Sequence, residues 1–105
     1  MAIFLFVKHN RARTIIGDHE KNQQMLLDFF DSIEGTVKGM KGYLVMDNLK
    51  EAEEMLVLTF WETRQDMDEF YKPDNKALSD FVKSTQSMLE QPPQRSDYEI
   101  VEFKI

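Results

Sequence analysis

The sequence predicts an α+β domain of the split β-α-β, ferredoxin-like kind, with its helices on one face of an antiparallel sheet. Three observations predict it. Four runs rich in strand-forming residues are spread along 105 residues. Segments with helical periodicity separate the first run from the second and the third from the fourth. A short polar hairpin joins the second run to the third. Strand, helix, strand, strand, helix, strand closes into one sheet through two right-handed crossovers. Residues 1–105 amount to one domain, with no repeat or linker.

The first run, Ile3-Phe4-Leu5-Phe6-Val7, is apolar throughout and sits in a strand over residues 2–10. Gly17-Asp18 breaks the chain, and Asp18 is a candidate helix N-cap with Glu20 in the first turn. Met25, Leu26, Phe29, Phe30 and Ile33 then recur at helical spacing, opposite Asp28, Asp31 and Glu34, and the helix ends near Gly35 or Gly39. The second strand spans 42–48. The acidic tip Leu49–Glu53 leads to the third strand, 55–61.

Thr63 and Asp66 form a capping pair that opens a short helix carrying Met67, Phe70 and Tyr71. Pro73 interrupts it. A further helix from Asp74 or Asn75 gathers Leu78, Phe81, Val82 and Leu89 until Pro92-Pro93 stops it. The fourth strand is expected over 98–105.

The first and third strands are the most uniformly apolar, which makes them the central pair. Neither alternates as a sheet with one wet face would. Leu5 and Val7 oppose Phe4 and Phe6, and Met55, Val57, Thr59 and Trp61 oppose Leu56, Leu58 and Phe60. Helices cover one face only. A second copy of the same sheet is the expected cover for the other, so the chain is expected to be a homodimer.

Composition removes several function classes. The net charge of −6 and the lack of a basic stripe argue against nucleic acid and against an anionic membrane surface. Cysteine is absent, which excludes disulfides, thiolate zinc and thiol nucleophiles. The run Ala2–Val7 is too short to span a membrane and lacks the flanks of a signal sequence, so a cytoplasmic location is expected. There is no glycine-rich phosphate loop and no nucleophile elbow. His9 and His19 lie on different elements without carboxylates at ligand spacing, and no metal site is expected.

Four positions could carry chemistry. His9, beside Asn10 and Arg11 at the expected end of the first strand, is either a solvated strand end or a polar group at a pocket mouth. Trp61 either fills core volume or walls a flat aromatic ligand. Phe70 and Tyr71 read first as core, although the Tyr71 hydroxyl needs a partner if buried. His19, in a first helical turn, reads as solvated. The seven methionines, among them Met25, Met46, Met55 and Met67, are accounted for by adaptable packing.

The segment Gly39-Met40-Lys41-Gly42-Tyr43-Leu44-Val45, then Leu58-Thr59-Phe60-Trp61-Glu62-Thr63 running into Asp66-Met67-Asp68-Glu69-Phe70, resembles the antibiotic-biosynthesis-monooxygenase family. The resemblance covers nearly the whole chain in element order and implies a dimeric α+β barrel. The superfamily hosts several functions, including cofactor-independent monooxygenases of polycyclic phenols and haem-degrading monooxygenases.

Against the haem-degrading branch, Asn10 falls on its asparagine and Phe70 on its catalytic tryptophan. Its haem-ligating histidine falls on or near Asp80, and Trp61 matches a non-catalytic tryptophan. The resemblance thus implies a pocket kept without its iron ligand. The cofactor-free branch asks for a dry aromatic pocket and polar groups that hold a phenolate or carbanion. On that reading no cofactor is needed. Asn10 bonds the developing oxyanion, Trp61 and Phe70 sandwich the ring, Tyr71 assists, and His9 is the base. The expected function is monooxygenation of a small aromatic or quinone-like substrate. The alternatives are a non-catalytic dimeric ligand-binding or stress-associated protein, and a haem-degrading monooxygenase.

Overall fold

The computed structural model describes residues 4–105. The elements are β1 (Phe6–Arg13), α1 (His19–Ile33), β2 (Met40–Asp47), β3 (Glu54–Trp61), α2 (Arg64–Phe70), α3 (Lys76–Thr85), a 3-10 turn (Gln86–Met88) and β4 (Gln94–Glu99). The four strands form one antiparallel sheet in the order β2-β3-β1-β4, with β1 and β3 at its centre as the sequence predicts. This is the α+β, ferredoxin-like arrangement, with three helices.

β1 and β3 pair over eight positions, from Phe6 against Trp61 to Arg13 against Glu54. Because side chains alternate along a strand, the register sorts both faces. Phe6, Lys8, Asn10 and Ala12 share the helix-covered face with Trp61, Thr59, Val57 and Met55. Val7, His9 and Arg11 share the open face with Phe60, Leu58 and Leu56. The open face of β2 adds Leu44 and Met46, which are 43% and 37% exposed.

Several boundaries differ from expectation. β1 continues to Arg13, so His9 and Asn10 lie in mid-strand rather than at its end; residues 2 and 3 of the expected strand lie outside the described residues. β4 is the polar run Gln94–Glu99, because β1 offers partners only from Phe6 opposite Glu99 to Arg11 opposite Gln94. Beyond it, Val101, Phe103 and Ile105 stand exposed. Leu89 lies outside α3, where it forms a lone bridge to Thr14. Asp18 occupies the N-cap of α1 but makes no side-chain capping bond.

The other caps are built as their residue types suggest. The Thr63 hydroxyl accepts from the Asp66 N–H at 3.0 Å and starts α2. Asn75 accepts from Leu78 N–H at 3.4 Å, and its amide donates to the Phe70 carbonyl at 2.7 Å. One side chain thereby ties the end of α2 to the start of α3. Gly39, at φ +78°, lets the chain enter β2 where a Cβ would lie 2.3 Å from the Asp66 carboxylate.

The core forms two clusters. Ala12, Leu26, Phe30, Met55 and Val57 make the first. Trp61, Met67, Phe70 and Leu78 make the second. Between them, under α1 and α3, the packing leaves a cavity.

Candidate functional site

The cavity measures about 370 Å³ and is open to solvent on one side. Ala12, Met55 and Val57 form its floor on the sheet, and Leu26, Phe70 and Leu78 are among the apolar side chains of its walls. Its polar lining includes Asn10, Asn22, Tyr71 and Arg95, with Glu90 and Gln91 also on it. An apolar enclosure with a few converging polar groups is the usual form of a small-molecule site.

Tyr71 caps the end of α2 and brings its hydroxyl 2.9 Å from that of Thr59. The Trp61 indole N–H donates to the same Thr59 oxygen at 2.8 Å. Indole can only donate. Thr59 therefore accepts from Trp61, and in its pair with Tyr71 either hydroxyl can be the donor. When Thr59 donates, the Tyr71 proton is left for the cavity. Burial pushes the Tyr71 phenol above its ordinary pKa, against the opposing pull of Thr59, Asn10 and Arg95. At neutral pH Tyr71 is thus a neutral donor. The Lys8 ammonium lies 4.8 Å and the Arg95 guanidinium 5.0 Å from its ring centroid.

Asn10 is 9% exposed and donates its amide to the Val57 carbonyl at 3.1 Å, with a longer contact to the Lys8 carbonyl at 3.4 Å. These bonds hold the side chain against the sheet beside Tyr71.

The structure brings Asn10, Phe70 and Tyr71 to one cavity and leaves two expected residues out of it. Trp61 is wholly buried. Its ring centroid lies 5.3 Å from that of Phe70. A ring sandwiched between two others needs about 7 Å, twice the optimal carbon contact distance. Trp61 and Phe70 therefore pack on each other, and Trp61 lies behind the cavity wall, against Phe70 and Tyr71 and bonded to Thr59. His9 is on the open face, edge-on to Tyr98 at 6.1 Å between ring centroids. The sheet separates it from Asn10 and Tyr71, so within one chain it is not a base for this cavity.

His19 is not merely solvated. Its ring bonds Thr14 Oγ1 and Asp47 Oδ1, both at 2.9 Å. Gln23, one turn on, donates to the same Asp47 oxygen at 2.8 Å. Thr14 is fully buried, so the set serves as a clamp between α1 and the sheet, not as an exposed nucleophile. Asp80 stands exposed on α3 in an ion pair with Lys76 at 2.8 Å and does not line the cavity. Among the described residues no cluster of histidine and carboxylate groups could hold a metal ion, and no helix is long and apolar enough to cross a membrane.

Sequence reasoning missed Asn22 and Arg95. Asn22 had a readable signal: it precedes Leu26 by four residues on the apolar stripe of α1. Arg95 had none, because the strand that carries it was expected to begin three residues later.

No protein-family model matches the sequence, and no curated protein matches it. Solved structures do. A "putative antibiotic biosynthesis monooxygenase" from Bordetella bronchiseptica superposes with a TM-score of 0.81 at 13% identity, covering 94% of this chain and 99% of that one. Proteins of the same description from Nitrosomonas europaea and Deinococcus radiodurans give TM-scores of 0.80 and 0.75 at 9% and 15% identity. The former covers 96% of this chain and 94% of its own, the latter 95% and 96%. The chain has the fold of these proteins, as the sequence resemblance implied.

Proposed function

We propose that the chain is a cofactor-independent monooxygenase acting on a small hydroxylated aromatic or quinone-like substrate in the cavity between sheet and helices. The observation that supports this most directly is the Trp61–Thr59–Tyr71 hydrogen-bond chain, which ends with the Tyr71 hydroxyl on an apolar cavity. The named character of the structural neighbours points the same way.

The chemistry suits that arrangement. An ionised anthrone or hydroquinone is electron-rich enough to reduce dioxygen by one electron, and the resulting pair then combines. For an anthrone, the ring CH2 loses both hydrogens and gains one oxygen atom as a carbonyl, while the second oxygen atom leaves as water. Tyr71 hydrogen-bonds the substrate oxyanion, and Asn10 fixes the ring edge beside it. Phe70, Leu78 and the sheet floor keep bulk water from the carbanion. Arg95, which lines the cavity beside the Tyr71 ring, favours entry of the substrate as its anion, whereas Lys8 is already paired with Asp97. His9 has no part in this scheme.

The test is oxygen uptake by the purified protein with an anthrone or dihydroxynaphthalene, without flavin or metal. Tyr71→Phe should lower turnover by about 10²-fold, the usual loss for one oxyanion donor. Tight substrate binding without oxygen uptake would sink the enzymatic reading and favour a ligand-binding protein.

A further inference from the structure

Asn22 is a polar residue where the fold calls for an apolar one. It sits on the face of α1 that buries Leu26 and Phe30 and is itself only 3% exposed. Its backbone N–H bonds the Asp18 carbonyl at 2.9 Å, but its amide bonds no other group among the described residues. At the same time, no described polar side-chain atom that is fully shut off from solvent lacks a partner. Both facts hold together because the Asn22 amide opens onto the cavity it lines.

The surroundings hold that amide in place. His19 and Gln23, on either side of it, both grip Asp47 at the end of β2. Thr14, bonded to His19, also donates to the Glu53 carbonyl at 3.2 Å. The first turns of α1 are thereby fastened to the sheet, and Asn22 is presented as part of a fixed wall. A buried amide without a protein partner destabilises a fold unless a ligand or water satisfies it.

We infer that Asn22 is a second recognition residue, and that the cavity takes a planar ligand with hydrogen-bonding oxygens at two separated positions. One oxygen meets Tyr71 and Asn10 on the sheet side, and the other meets Asn22 on the helix side. This rests on the reading of the cavity as the ligand site, and it narrows the ligand from aromatics with a single oxygen to those with a second oxygen set apart from the first. Asn22 serves either oxygen state, because a primary amide both donates and accepts.

The experiment compares 1,4-dihydroxynaphthalene with 1-naphthol by calorimetric titration under argon, using wild type, Asn22→Leu and Asn22→Ala. Wild type should prefer the diol. Asn22→Leu should weaken the diol about tenfold, the loss of one well-made hydrogen bond, and leave 1-naphthol unchanged. Its melting temperature should rise, since an unpartnered amide gives way to an apolar group of similar size. Asn22→Ala should repeat the affinity pattern if the leucine disturbs the cavity. Equal weakening of both ligands, or a lower melting temperature in both variants, would make Asn22 a structural residue and overturn the inference. Failure of wild type to bind either compound would overturn the cavity reading itself, and the inference with it. Binding of both without an Asn22 effect would overturn the inference alone.

Discussion

Tyr71 and Thr59 face each other across the edge of the cavity with their hydroxyl oxygens 2.9 Å apart. Thr59 is wholly buried and also receives the indole N–H of the wholly buried Trp61. A threonine in the middle of an otherwise apolar strand is therefore a junction, holding one core donor and aiming one cavity donor. Thr59→Val keeps the shape and removes both bonds. The indole N–H is then orphaned in the core, while Tyr71 can turn to cavity water. The expected loss is about 1–3 kcal/mol of stability, read by urea unfolding. An unchanged midpoint would mean that the junction does not carry the indole.

Tyr71 also gives a pH signature. Burial raises its pKa in the folded state above the unfolded value of about 10. Above that pH the unfolded chain loses its phenol proton before the folded chain does, so stability falls as pH rises. The Tyr71 contribution is fully present below about pH 10 and disappears as the pH climbs through the folded value. Wild type should therefore lose stability relative to Tyr71→Phe as the pH rises above about 10, read by urea unfolding at each pH. Parallel curves for the two proteins would show that Tyr71 titrates alike folded and unfolded.

The open face of the sheet predicts self-association. Leu44, Met46 and the exposed Tyr98 flank Leu56, Leu58 and Phe60 on a surface that no helix covers. A second copy is the expected cover. Light scattering at micromolar concentration should give twice the 12.4 kDa chain mass. Leu58→Asp should return a monomer, because an unpaired buried charge costs several kcal/mol. A monomeric wild type would sink the barrel arrangement.

How far the sequence could be read depends on where its chemistry was local. β3 was legible because every position from Met55 to Trp61 carries a strand former or an apolar side chain, and Thr63 stands where a cap is needed. β4 was misread because its residues, Gln94 to Glu99, form an exposed polar edge. The apolar tail after it looked more like a strand, but its ladder with β1 ends at Phe6, leaving a bond from Ile100 N–H to the Leu5 carbonyl and an edge-on contact of Phe103 with Phe4.

The site suffered from the same boundary problem. His9 and Asn10 are neighbours in sequence, and ending β1 there let both be assigned to one pocket mouth. A strand that continues to Arg13 sends them to opposite faces. Asn10, Phe70 and Tyr71 were found because a family pattern marked them or because they are aromatic. The role of Thr59 needed the distance to Tyr71, which no spacing in the sequence encodes.

The last prediction concerns haem. Oxygen activation on haem iron generally calls for an imidazole or comparable donor on its proximal side. The resemblance places the ligand of the haem-degrading branch on or near Asp80, where there is no histidine. The Asp80 carboxylate is exposed, hydrogen-bonded to Lys76, and held below the ordinary carboxylate pKa chiefly by that bond. It lines no part of the cavity beside Tyr71. Carboxylate oxygen is also a harder and weaker partner for ferrous iron than imidazole nitrogen. His9 lies across the sheet, and His19 is occupied by Thr14 and Asp47. Haem titration should therefore give weak binding without a histidine-ligated Soret spectrum, and added reductant should yield no product beyond the free-haem background. Tight stoichiometric binding abolished by His9→Ala would instead require that His9 reach haem from the open face, and would move haem degradation ahead of cofactor-free oxygenation.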